Sequence, residues 1–124
     1  MDIIHKIISS GALFIITIAS GFWLSNIGRP YNALAFNVHK LIALAAVIFT
    51  AVIVYGQLRN VEMKGLLIVQ IAAVIIAVLM PFTSGAFMSL GIAPYKVVWL
   101  VHIVAAAIAA LIIGTAVFYL TFHR

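Results

Sequence analysis

The sequence predicts an all-α integral membrane protein: an up-and-down bundle of four transmembrane helices built from two pseudo-repeated helical hairpins. Composition is the first reason, since 67% of the 124 residues are hydrophobic, 7% are charged and the mean hydropathy is +1.33, outside the range of water-soluble domains. The second is segmentation, because the apolar residues fall into four runs able to cross a bilayer core of about 30 Å at about 1.5 Å per helical residue. The third is the shortness of the polar breaks, which forces neighbouring helices antiparallel and leaves residues 1–124 as one membrane domain.

The first run, about 7–24, follows Asp2, His5 and Lys6 and ends in Ser25-Asn26-Ile27-Gly28-Arg29-Pro30, a stretch rich in helix-ending residues. Its long core, its acidic start and the poor cleavage sequence Ile18-Ala19-Ser20-Gly21-Phe22-Trp23 argue for a retained helix rather than a cleaved signal. The second run, about 34–55, carries Asn37, His39 and Lys40 near its start and closes at Gln57-Leu58-Arg59-Asn60. The third, about 66–87, contains Pro81, which with Thr83-Ser84-Gly85 is expected to kink it. The fourth, about 97–122, follows Pro94-Tyr95-Lys96 and holds His102 within its apolar length.

Seven lysines and arginines against Asp2 and Glu62 give a net charge of +5. In a membrane chain such an excess belongs at headgroups rather than on nucleic acid. Lys6, Arg59, Lys64 and Arg124 fall on the side of the termini, and Arg29, Lys40 and Lys96 on the other. That bias places the termini in the cytoplasm, with the inner membrane of a bacterium or archaeon as the expected location. Both acids lie outside the runs, so no intramembrane carboxylate carries protons or cations, which counts against a proton-coupled exporter. Without cysteine there is no disulfide, thiolate metal site or cysteine nucleophile, and redox chemistry needs a bound cofactor. Ser9, Ser10 and Ser84 are expected to have no base within reach, which leaves hydrolase and transferase activities without support.

An internal repeat organises the rest. An offset of 64 residues aligns Ser20-Gly21 with Ser84-Gly85, Ser25 with Ser89 and Pro30-Tyr31 with Pro94-Tyr95. An offset of 63 then aligns Gly28 with Gly91, Val38 with Val101, His39 with His102 and Ala43 with Ala106. Ala-rich apolar sequence aligns easily by chance, but Pro-Tyr and His are rare here and recur in the same order. Parallel copies of a hairpin would set the two histidines at one depth, each roughly 7 to 8 Å inside the same surface.

An ionisable side chain inside the bilayer points to function, and neutral imidazole is the usual axial ligand of haem iron. A histidine near a helix start also serves simply as an interfacial or carbonyl-bonded side chain. As a pair, His39 and His102 fit one haem b, with room left by Ala35, Ala43, Ala46, Ala105, Ala106 and Ala109 and by the two Ser-Gly steps. Arg29, Lys40 and Lys96 lie on the histidine side and suit the haem propionates, though each also suits interfacial anchoring beside Trp23, Tyr31, Tyr95 and Trp99. Zinc or non-haem iron fits poorly, because two imidazoles without carboxylate or thiolate leave the shell incomplete. A chlorophyll-type pigment, which needs one histidine, stays open.

The stretch Phe36-Asn37-Val38-His39-Lys40-Leu41-Ile42-Ala43, supported by Trp99-Leu100-Val101-His102, resembles the helix starts of small four-helix membrane cytochromes b, the cytochrome b-561 and bacterial di-haem cytochrome b group. The resemblance spans most of the chain but rests on few residues. It implies that His39 and His102 are axial ligands and that a quinol or other small reductant supplies electrons; a redox partner protein is a further expected partner of such a cytochrome. Family members with two haems carry a further histidine about four turns along; this chain has Val52-Ile53 and Thr115-Ala116 there, so one of the two haem sites is expected to be missing. His5 and His123, beside Lys6 and Arg124, read as solvated surface groups.

Three functions fit these residues: a single-haem cytochrome for electron transfer at one membrane face, a cofactor-free structural subunit of a larger membrane complex, and a haem sensor or haem-transfer protein. Gly11, Gly21 and Gly114 form no Gly-x-x-x-Gly pair, so a homodimer is compatible with the sequence but no interface is located.

Overall fold

The computed structural model describes residues 2–62 and 64–122; His123 and Arg124, whose surface placement the sequence suggests, lie outside the described residues. Four helices follow in order: α1 (Ile3–Ile27), α2 (Ala33–Leu58), α3 (Gly65–Leu90) and α4 (Tyr95–Phe122). Among the described residues there is no strand. All four are long and apolar enough to cross a membrane, which makes the chain an integral membrane protein.

Every helix is longer than the apolar run that predicted it, except at the end of α4. Hydropathy marks the hydrocarbon-facing part, whereas a helix continues until a cap or breaker stops it. Asp2 caps α1, accepting a hydrogen bond from the Ile3 amide, and Asn32 Oδ1 accepts from the amides of Leu34 and Ala35 at the start of α2. Gly28 ends α1 and Gly91 ends α3, both at positive φ (78° and 65°), where a side chain would strain the backbone. These glycines are one aligned pair of the internal repeat. Helix α3 runs unbroken through Pro81. The hydroxyls of Thr83 and Ser84 donate to the carbonyls of Leu79 and Met80 in the turn around the proline, which compensates backbone disturbed by the ring.

The chain divides into two compact units, residues 1–56 and 57–124. In the first, α1 and α2 form an antiparallel hairpin: Ser20, late in α1, meets His39, early in α2, and Ser10, early in α1, shares a buried hydrogen bond of 2.6 Å with Thr50, late in α2. In the second, α3 packs along α4, with Ser84 late in α3 meeting His102 early in α4.

The repeat extends to burial. Helix α2 buries Ala35, Ala46, Thr50, Ile53 and Gln57, and α4 buries the residues 63 positions later: Val98, Ala109, Ile113, Ala116 and Leu120. Many buried positions are small, as close helix approach in a membrane requires. The outward side chains are as apolar as the inward ones: Leu34 is 75% exposed, Leu111 70% and Ile15 69%. Such a surface would aggregate in water and is solvated by lipid tails.

The Ser10–Thr50 pair has no polar counterpart, since the aligned positions are Val74 and Ile113. A double-mutant cycle with Ser10→Ala and Thr50→Val, read as unfolding free energy in detergent micelles, is expected to give a coupling of about 0.6 kcal/mol, the usual size for such bonds in membranes. Strict additivity would mean that the pair contributes nothing specific.

Candidate functional site

His39 and His102 each sit about two turns into their helix and point back at the last third of the preceding one. The two environments match. Nδ1 of His39 is 3.0 Å from Ser20 Oγ, and Nδ1 of His102 is 3.0 Å from Ser84 Oγ. The residue after each serine is a glycine against which the ring lies: a Cβ at Gly21 would fall 3.0 Å from His39 Cε1, and one at Gly85 3.3 Å from His102 Cε1. His102 Nδ1 also lies 2.9 Å from the Pro81 carbonyl oxygen. Both histidines are half-buried.

A serine hydroxyl has one proton to donate. Ser20 Oγ lies 2.9 Å from the Thr17 carbonyl oxygen, and Ser84 Oγ 2.9 Å from that of Met80 and 3.2 Å from that of Pro81. A serine that gives its proton to its own helix accepts from the imidazole, whose proton is then on Nδ1; one that gives it to the imidazole leaves the ring proton on Nε2. At His102 the Pro81 carbonyl, which can only accept, selects the Nδ1 proton.

The expectation that Ser84 has no base within reach is corrected: a histidine 18 residues away in sequence is 3.0 Å away in the hairpin. Separation along the chain hides such contacts, because the tight α3–α4 turn folds them together. The contact still does not make a nucleophile and its base, since the nitrogen facing the hydroxyl is the protonated one and cannot take the serine proton.

The three candidate cations are all exposed and lie near the turn of their own hairpin: Arg29 between α1 and α2, Lys40 beside His39, and Lys96 in the first turn of α4. Lys40 holds its ammonium 4.9 Å from the centroid of the Phe36 ring, itself stacked on Tyr31, a cation–π contact that any anion there has to compete with. Of the alanines expected to leave room for a macrocycle, Ala35, Ala46, Ala105 and Ala109 are buried, and Ala43 and Ala106 are half-buried. Among the described residues, no three His, Cys, Asp or Glu side chains cluster to hold a metal ion.

No known protein family, characterised protein or solved structure matches the chain. What it does must be argued from its residues. The sequence offers the Ser-Gly steps as space-makers; the structure adds that their serines lie within hydrogen-bond distance of the histidines, both features recurring at nearly the same offset.

The glycine seats are directly testable. Gly21→Ala and Gly85→Ala force the imidazole off its glycine and are expected to destabilise the chain by roughly 1–3 kcal/mol, Gly21→Ala more because its contact is tighter. Gly11→Ala and Gly114→Ala, where an added Cβ meets nothing within 4 Å, are expected to be neutral or to stabilise by up to about 1 kcal/mol through helix propensity. Thermal unfolding in detergent, followed by circular dichroism, measures all four.

Proposed function

We propose that the chain is a membrane cytochrome that binds haem b through His39 and His102 and serves electron transfer. The observation that carries this reading is the recurrence, at both histidines, of an imidazole seated on a bare glycine with Nδ1 bonded to a serine. Metal-ligating histidines characteristically donate the other ring N–H to a nearby acceptor, which orients the ring and presents the lone pair. Both rings have such an acceptor within hydrogen-bond distance of Nδ1. The donor set also suits haem better than a bare ion: imidazole serves an iron whose other ligands come with the macrocycle, and among the described residues no three His, Cys, Asp or Glu side chains cluster to hold a metal ion. The absence of cysteine favours a non-covalently held haem b.

In this reading the chain's residues have distinct tasks. Nε2 of His39 and Nε2 of His102 would bind the iron, Gly21 and Gly85 make room for the Cε1 edges of the rings, and Arg29, Lys40 and Lys96 would neutralise propionates at the headgroup level. The apolar helix surfaces keep water away. Bound haem iron supplies a one-electron couple, and filling both axial positions favours electron transfer over oxygen chemistry. A quinol in the lipid and a redox protein at the surface are the proposed partners, as in the small membrane cytochromes b that the helix starts resemble.

The test is a reduced-minus-oxidised absorbance spectrum of detergent-purified protein with a pyridine haemochrome count. Wild type is expected to hold about one low-spin haem b per chain, and His39→Ala and His102→Ala each to lose it or turn it high-spin. A colourless wild type that stays empty after haem addition would overturn the proposal in favour of a structural subunit. A count near two per chain would assign each hairpin its own haem.

A further inference from the structure

We infer that Ser20 with Gly21, and Ser84 with Gly85, are positioning pairs that fix the tautomer and rotation of His39 and His102 and thereby tune the electron-donating strength of the ligand nitrogens. The iron-directed part of this inference rests on the haem reading; the tautomer part does not.

Each pair acts twice on its ring. The glycine removes the only atom that would push Cε1 away, so the imidazole edge settles on the helix backbone at 3.0 Å and 3.3 Å from the positions a Cβ would take. The serine then decides which edge nitrogen faces the preceding helix. Where its proton goes to a carbonyl of its own helix, Thr17 for Ser20 and Met80 or Pro81 for Ser84, the ring turns its N–H toward Oγ and its lone pair elsewhere. A serine pointing at solvent could swap donor and acceptor roles at no cost. One bonded back to its own helix inside hydrocarbon would leave a carbonyl without that bond if it did so.

The consequence for a ligated metal is electronic as well as geometric. An Nδ1–H that donates to an oxygen gives the ring partial imidazolate character, which raises ligand basicity and favours ferric over ferrous iron. Removing the serine hydroxyl is expected to weaken binding and make the bound iron easier to reduce, with the larger share from Ser20, because His102 Nδ1 keeps the Pro81 carbonyl at 2.9 Å. The serines touch the ligand and not the iron, so their effect passes entirely through Nδ1.

Two measurements test this. In the apo protein labelled with 15N-histidine, long-range nitrogen–proton correlations are expected to show the Nδ1–H tautomer at both His39 and His102; an Nε2–H tautomer at either overturns the inference whatever the haem result. In haem-loaded protein, Ser20→Ala combined with Ser84→Ala is expected to lower haem affinity about 10- to 100-fold. A tenfold loss of ferric over ferrous preference would appear as a midpoint about 59 mV more positive. Ser20→Thr with Ser84→Thr, which keeps both hydroxyls, is expected to restore affinity and midpoint. Should the double alanine variant fail to insert, the single variants carry the same readouts. Alanine variants with wild-type affinity and midpoint overturn the tuning role. A wild type that takes up no haem overturns the iron-directed part together with the haem reading, while the tautomers still decide the positioning.

Discussion

In hydrocarbon every backbone N–H and C=O must be satisfied within its own helix, and any side chain that keeps a hydrogen-bonding group must find its partner there too. That constraint sets the architecture of this chain. It requires uninterrupted helices of 25 to 28 residues, and it sends the hydroxyls of Thr17, Ser20, Thr83, Ser84 and Thr115 back to carbonyls three or four residues earlier. It also explains why the histidines are so tightly specified. A hydroxyl that gives its proton to its own helix can only accept from a neutral imidazole beside it.

The parts legible in the sequence were those set by average polarity. Four apolar runs gave four helices, and Gly28 and Gly91 were found where the runs break. The ends were less legible, because His5, Lys6, Ser25, Asn26 and Gln57 lower local hydropathy without stopping a helix. Recurring Ser-Gly, Pro-Tyr and His gave the hairpin repeat and drew attention to His39 and His102. The sequence did not reveal that Ser20 and Ser84 bond to those histidines. That contact depends on the relative rotation of two helices, and a shift of one residue in either would turn the hydroxyl away. The Ser10–Thr50 bond was hidden for the same reason.

The two halves also separate packing from chemistry without recourse to any related protein. Burial recurs along the whole length of α2 and α4, including at Thr50 and Ile113 and at Gln57 and Leu120, where the residue types differ completely. At such positions the repeat retains a covered site and is indifferent to what fills it, as helix packing alone requires.

Near the turns the repeat behaves differently. Serine, glycine and histidine recur as residue types and also as a geometry, with two Oγ–Nδ1 distances of 3.0 Å and two rings laid on glycines. Packing cannot account for that restriction, since an apolar side chain of similar volume would fill the same space in hydrocarbon and would not need a partner. Two histidines, each with Nδ1 3.0 Å from a serine and its ring on a glycine, are what packing leaves unexplained and what the proposed ligand role accounts for.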